Sequence, residues 1–302
     1  VATAAGVPPG ARRPILDWYA THGRDLVFRR TTDPYAVLVS EAMAQQTQAA
    51  RAAARWERWM VRFPTVESLA AATPADALRE WQGLGYDRRA LALWRAARVI
   101  VDEHSGRVPG SVADLEALPG VGPYTARAVA AIAFGAPVGA VDVNVRRVLG
   151  RMVAAPDDRR LTRTEVQRIA DQAVPPRHAA AWTHALMDIG ATCCRPRRPR
   201  CDDCPARAWC RFAATGEATD GVTSGERKPT RRERFPATTR WLRGRILDRV
   251  RAAGDGEWIP LDGAIGEHAP DRVHAAARAM MADGVLDVRS DDGVIRARLP
   301  LA

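Results

Sequence analysis

A mainly α chain with a small α/β module at its C-terminal end is the fold class the sequence predicts, on three observations. Through the first 213 of the 302 residues, apolar side chains recur at steps of three and four, the spacing of amphipathic helices, with hardly any β alternation. From Thr215 to Arg234 the one large apolar residue is Val222, amid Gly, Thr, Ser, Glu and Arg, which is the composition of a linker. The chain then closes on two alternating stretches around Asp292-Gly293, a hairpin turn signal. These observations divide the chain into a helical domain over 1–213, a linker over 214–238 and a small domain over 239–302.

The elements follow in order. Val66 with Leu69, Leu78 with Trp81, and the series Leu91, Trp94, Ala97 and Val101 mark helices of the first domain. An alanine-rich apolar helix runs from Pro123 to Phe134, and Val145, Val148, Leu149 and Met152 keep helical spacing in the next. Past the linker, Leu242, Ile246, Leu247 and Val250 mark one helix, and Val273, Ala277, Met280 and Met281 another. The strands are expected at 285–289 and 294–299. Helices followed by a basic two-stranded ribbon resemble a winged-helix module, either a DNA-binding unit or a packing domain.

The composition, 47% hydrophobic and 26% charged, excludes disordered and collagen-like chains. A net charge of +10 and a pI near 10.3 favour a polyanionic partner, with nucleic acid foremost. Nearly all the basic residues are arginine; Lys228 is the only lysine. No apolar run approaches the roughly 18–20 residues of a membrane span, and the first residues lack a secretory signal's apolar core. The expectation is therefore a cytoplasmic, nucleoid-associated protein with no membrane contact, acting as a monomer.

All five cysteines fall between Cys193 and Cys210, a clustering that suits a metal site better than disulfides. Cys194, Cys201, Cys204 and Cys210 give C-x6-C-x2-C-x5-C, and Cys193 is surplus to four ligands. The spacing by itself leaves structural zinc and an iron–sulfur cluster open. Between the first two ligands, Arg195, Arg197, Arg198 and Arg200 alternate with two prolines and no acid. Such a loop is a stiff cationic rim for phosphates, or a counter-charge for the metal site itself.

Three further motifs carry chemistry. In Leu118-Pro-Gly-Val-Gly-Pro-Tyr-Thr125, Gly120 and Gly122 permit a tight turn whose amides lie open to a phosphate, ahead of a helix that begins at Pro123. A plain helix–turn–helix connection is the alternative. Glu41 is the one charged residue between Asp33 and Arg51; in an apolar helix it should be desolvated and held protonated, as a general acid requires, unless an arginine satisfies it. Asp142 precedes a helix, where amides and dipole favour the anion; an N-cap role is the ordinary reading of such a residue. One neutral and one charged acid are the pair that protonates a leaving group and stabilises a cationic sugar.

Taken with Ser40-Glu-Ala-Met-Ala-Gln-Gln-Thr-Gln48, Gly83-Leu-Gly-Tyr86, Val141-Asp-Val-Asn-Val-Arg-Arg147 and Leu186-Met-Asp-Ile-Gly190, these motifs resemble the helix-hairpin-helix DNA glycosylases, specifically the MutY-type adenine DNA glycosylases, over residues 14–212. The resemblance implies a two-lobed fold, a helical lobe of about 30–137 and a second lobe of 1–29 with 138–213. It also implies a [4Fe-4S] cluster on the four cysteines and double-stranded DNA carrying a mismatch or oxidised base as partner. It gives Glu41 as the acid that protonates adenine, Asp142 as the carboxylate facing the sugar cation, and Tyr124 and Asn144 as their supports. Gln46 and Tyr86 resemble wedges that fill the stack when a base is flipped out, Thr47 a contact to the opposite base, and Arg24, Phe28 and Asp188 residues of the base pocket.

Related endonuclease III-type enzymes attack the sugar with a lysine of the hairpin helix, which here reads Pro123-Tyr-Thr-Ala-Arg127. The expected activity is accordingly monofunctional release of adenine opposite 8-oxoguanine or guanine. Departures at Val27-Phe28, at Val143 and at Asp87, where a second tyrosine is common, leave room for another base such as T or U opposite G. The 92 residues after Cys210 do not read as the Nudix-like domain many relatives carry. An iron–sulfur DNA-binding protein without catalysis is the reading from another class; a pure binder has no need of Glu41 and Asp142.

Overall fold

The computed structural model describes residues 6–154, 161–215 and 234–301. It forms two compact units whose boundaries differ from the expected lobes. The first comprises 1–41, 109–117 and 121–226, and the second 42–108, 118–120 and 227–302. Most of the expected linker, with Lys228, lies outside the described residues.

The first unit contains helices α1 (Arg12–His22), α2 (Pro34–Ala44) as far as Glu41, α7 (Val112–Ala117), α8 (Pro123–Ala133), α9 (Val143–Ala154), α10 (Arg163–Ala173), α11 (Ala179–Thr192) and α12 (Arg211–Ala214). Helix α11 is apolar nearly all round and packs on α1, α8 and α9, which makes it the central rod. The contact of α8 with α11 is why the hairpin helix belongs to this unit and not to the expected helical lobe. Ile15, Leu149, Ile169, Trp182 and Ile189 form its core. Close helix approach depends on glycine: a Cβ on Gly190 would stand 2.5 Å from Asn144 Cβ. At α10, Thr162 and Glu165 form a capping box.

The second unit holds α3 (Ala49–Arg62), α4 (Val66–Ala70), α5 (Pro74–Glu80) and α6 (Arg88–His104), with the C-terminal module. Trp59 meets Phe63 and Trp81 edge-on, at 4.9 and 5.6 Å between ring centroids, in a core continued by Leu69, Leu78 and Leu91. Capping boxes at Thr65 and Thr73 start α4 and α5.

The module consists of α13 (Thr239–Ala252), β1 (Ile259–Pro260), α14 (Pro270–Ala282), β2 (Asp287–Asp291) and β3 (Val294–Arg298), consistent with a winged-helix-like element. The hairpin turns at Asp292 and Gly293, with φ of 49° and 81°, the left-handed pair that a two-residue hairpin loop demands. Two differences from the sequence reading stand out. Strand β1 adds an antiparallel edge to β3, too short to show periodicity. Met281 is 45% exposed, because buried Val273, Ala277 and Met280 already complete the inward face of α14.

Candidate active site

Glu41 lies on α2, one turn after Val37, in an almost uninterrupted buried run from Tyr35. With a helix apolar on every side, the carboxyl has no wet face; it is 7% exposed. Burial pushes its pKa from the ordinary 4.5 up to about 7; a hydrogen bond from Tyr124 and the charge of Arg29 pull the other way, and the charge of Asp142 adds to the rise. Tyr124, in the first turn of α8, is itself held well above the usual tyrosine range by burial and then by Glu41 and Asp142. Its hydroxyl also lies 3.9 Å from Met187 Sδ. The proton of this site accordingly resides near neutral pH on Glu41, in contact with a phenol that does not ionise.

Asp142 caps α9. Its Oδ1 accepts the Val145 amide at 2.7 Å, the bond of an N-cap, and its Oδ2 accepts Asn144 Nδ2 at 2.9 Å. Asn144 is held in turn: its Oδ1 accepts Arg147 Nη2 at 2.8 Å, while Arg147 donates to Gly190 O and to Cys194 O, each at 2.6 Å. A continuous polar chain thus leads from Asp142 to the backbone of the first cysteine of the cluster.

The structure therefore brings Glu41, Tyr124, Asp142 and Asn144 together in the first unit. Beside them it adds residues the motifs did not reveal. Arg29, 7% exposed in its side chain, forms a bidentate pair with Asp188 (2.7 and 2.9 Å) and lies over the Tyr19 ring. His184 is buried, and that burial drops its pKa to about 3, so it is neutral. Asp188 has no exposed surface and accepts four donors, two from Arg29 and two from Arg24. Burial acts against its charge, but the bonds to Arg29 and Arg24 outweigh burial and hold its pKa below the ordinary value. With four acceptor positions filled, Asp188 anchors arginines and has none left for a base. Phe28 is 8% exposed and Arg24 about a third.

Cys194, Cys201, Cys204 and Cys210 line one cavity, with Arg151 and Phe212 among its walls. All four are partly buried. Burial, with the neighbouring cysteines adding to it, pushes the Cys204 thiol up to about 12. Arg151 donates to Cys194 Sγ at 3.4 Å and to the carbonyls of Arg195 and Pro196, pinning the arginine loop. Arg195, Arg197 and Arg198 are exposed on that loop, whereas Arg200 pairs with Asp203. Cys193 borders the same cavity but is more buried than the other four, with its sulfur 3.6 Å from Asp203 O.

In the second unit, Gln46 and Tyr86 both have left-handed backbones, φ 53° and 49°, which bulky residues adopt only when surroundings impose it. Arg89 supplies that constraint. It donates to the carbonyls of Ala42, Gln45, Leu84 and Gly85 and to Thr47 Oγ1, tying the two turns together. Gly120 has φ 76°, and a Cβ there would lie 2.4 Å from Ala92 Cβ, so both backbone and space demand glycine. Gly122 caps α8 in open space.

Comparisons with known proteins fit this geometry. Residues 39–176 match the model of the HhH-GPD superfamily of base excision DNA repair proteins. An adenine DNA glycosylase of Mycolicibacterium smegmatis is 41% identical over 238 residues, covering 78% of this chain and 79% of that protein. One from Mycobacterium tuberculosis is 42% identical over 243 residues, 79% of this chain and 78% of that protein. The human adenine DNA glycosylase is 39% identical over 71% of this chain and 41% of its own length. Among solved structures, a thermostable thymine-DNA glycosylase superposes with a TM-score of 0.63 at 29% identity, over 67% of this chain and 94% of that one. An endonuclease III–DNA complex gives 0.58 at 23%, over 70% and 99%, a likeness of fold alone. Among the described residues no helix is long and apolar enough to cross a membrane.

Proposed function

The chain belongs to the adenine DNA glycosylases of the HhH-GPD superfamily, and from that premise we propose that Glu41 and Asp142 carry the hydrolysis and that the adenine removed stands opposite 8-oxoguanine or guanine in double-stranded DNA. The observation that carries this reading is the pairing of a buried acid, pushed up to about 7, with a hydrogen-bonded carboxylate in the same unit of one chain. A single chain supplies both groups, so the proposed site needs no second copy.

Protonated Glu41 gives its proton to the flipped-out adenine, and the bond between C1′ and N9 breaks with its electron pair leaving on the base. Asp142 faces the positive charge that develops on the sugar; Asn144 and the Val145 amide fix its direction. Water then forms the new bond to C1′ and returns a proton to Glu41. Gln46 and Tyr86 fill the space the base vacates, Thr47 meets the opposite base, and the open amides around Gly120 and Gly122 with Arg195, Arg197 and Arg198 hold phosphates.

No lysine stands in the hairpin helix to form a Schiff base with the sugar. On duplexes carrying A opposite 8-oxoguanine, G or C, and T or U opposite G, we expect release of adenine from the first two, with strand breaks appearing only after alkali. Release of T or U, or strand scission without alkali, would refute the assignment.

The four cysteines hold a [4Fe-4S] cluster, in this reading. The donor set fits: four partly buried thiols line one cavity, and as thiolates they would gather negative charge there that a polycation between them balances. When bound, the cluster supplies iron–thiolate bonds that tie the end of α11 to the arginine loop and α12. Purified protein should be brown, with about four irons and four sulfides per chain. A colourless protein containing zinc would replace the cluster with a structural zinc site.

A further inference from the structure

We infer that the C-terminal module is a brace for the turn that carries Tyr86, with Arg240 and Arg251 as its positioning residues. The inference rests on the reading of Tyr86 as the residue that fills the stack. Tyr86 combines a left-handed backbone with 47% exposure of the residue, so neither local preference nor burial fixes it. Two guanidiniums do: Arg89 lies 5.6 Å and Arg240 of α13 lies 4.8 Å from the ring centroid.

The next residue carries the second hold. Asp87 is the N-cap of α6 yet makes no side-chain capping hydrogen bond. Its carboxylate instead accepts Arg251 Nη2 at 2.7 Å, and that arginine, 8% exposed, also donates Nε to Leu78 O at 3.0 Å. The charge of Asp87, which stands where a second tyrosine is common, is thus neutralised from within the protein. Arg240 and Arg251 stand about three turns apart on α13, hence on one face, and grip both sides of the Tyr86–Asp87 peptide. Further pairs reinforce the contact: Arg79 with Asp255, and Arg88 with Asp283.

The hairpin of the module points to the same role. Arg289 pairs with Asp291 at 2.7 Å and Arg298 with Asp287 at 3.0 Å, and both guanidiniums lie over the Trp258 ring at 4.3 and 4.6 Å. These cations are engaged by the module's own carboxylates and indole, where a phosphate-binding wing would present them outward. Of the two roles open to the module, packing against the wedge turn is the one these contacts favour.

The test uses the full chain with Arg240→Met, Arg251→Met and Tyr86→Ala, on a duplex in which 2-aminopurine neighbours the target adenine opposite 8-oxoguanine. Both arginine variants should slow single-turnover base release at least tenfold and abolish most of the fluorescence rise that reports unstacking. Affinity for undamaged duplex and its salt dependence should stay within threefold of wild type. Arg240 is exposed, so its variant keeps the test independent of folding. Wild-type release and fluorescence in both arginine variants, with Tyr86→Ala impaired, would overturn the brace alone. An unimpaired Tyr86→Ala would overturn the wedge reading beneath it. A shallower salt dependence with normal fluorescence would make the module a phosphate-binding surface instead.

Discussion

Asp142→Asn should lower base release at saturating enzyme by about a thousandfold while leaving duplex affinity within threefold. The change removes one negative charge and almost no volume. A full charge about 4 Å from a developing sugar cation contributes ~4 kcal/mol at an effective dielectric of 20, and each ~1.4 kcal/mol is a factor of ten in rate. Loss of folding cannot account for the result, because asparagine is as good an N-cap as aspartate. The side-chain oxygen can keep the Val145 amide that Asp142 now holds at 2.7 Å. The amide nitrogen of the variant would, however, face Asn144 Nδ2, a donor, so the Asn144–Arg147 chain should shift as well. Single-turnover release of adenine, compared with binding to a non-cleavable duplex, measures both effects; release within tenfold of wild type would remove Asp142 from the chemistry.

What the sequence disclosed and what it withheld divide along one physical line. Glu41 could be read as a buried acid because its helix is apolar on all faces, and burial follows from composition within a single element. Asp142 could be read as a cap because capping is decided within four residues. The cysteines stand out by their crowding, and the fold gathers them around one cavity. Arg29, Arg89 and Arg251 could not be singled out among so many arginines, because each acts on groups far along the chain. Arg29 and Asp188 are 159 positions apart, and Arg251 and Asp87 are 164. Their partners are matters of tertiary packing, on which periodicity is silent. Asp188 shows the same limit: its place in a motif puts it at the expected base pocket, but that it anchors Arg24 and Arg29 through four donors is a matter of tertiary packing. The division into compact units departs from the expected lobes for the same reason, since the contact of α8 with α11 joins segments that no local signal connects.

Glu41→Gln should abolish base release and at the same time make the folded protein more stable at alkaline pH. Glutamine keeps the shape but has no acidic proton to give, so release should fall by at least a hundredfold, the usual contribution of a positioned general acid being about 10²–10⁴. The stability gain follows from the same burial that makes the acid useful. In the unfolded chain the carboxyl ionises at about 4.5, and in the fold at about 7. Below the first value it is neutral in both states, and Glu41 carries no charging cost. Between 4.5 and about 7 the unfolded chain has given up this proton while the fold still holds it, so stability falls as pH rises, and the loss levels off above about 7, where the fold itself holds a desolvated anion. At about 1.4 kcal/mol per pH unit, the rise from 4.5 to about 7 amounts to ~3 kcal/mol, fully expressed above pH 7. Glutamine is never ionised, so the variant should gain up to that amount over wild type at pH 8 and nothing at pH 4. Wild-type base release should fall as Glu41 deprotonates, about tenfold for each pH unit above 7. Denaturant titrations of both proteins across this range, paired with single-turnover release by the wild type, test the two halves together. A stability difference that does not change with pH would mean that Glu41 is not held neutral in the fold, and with it would go the proton that the departing adenine needs.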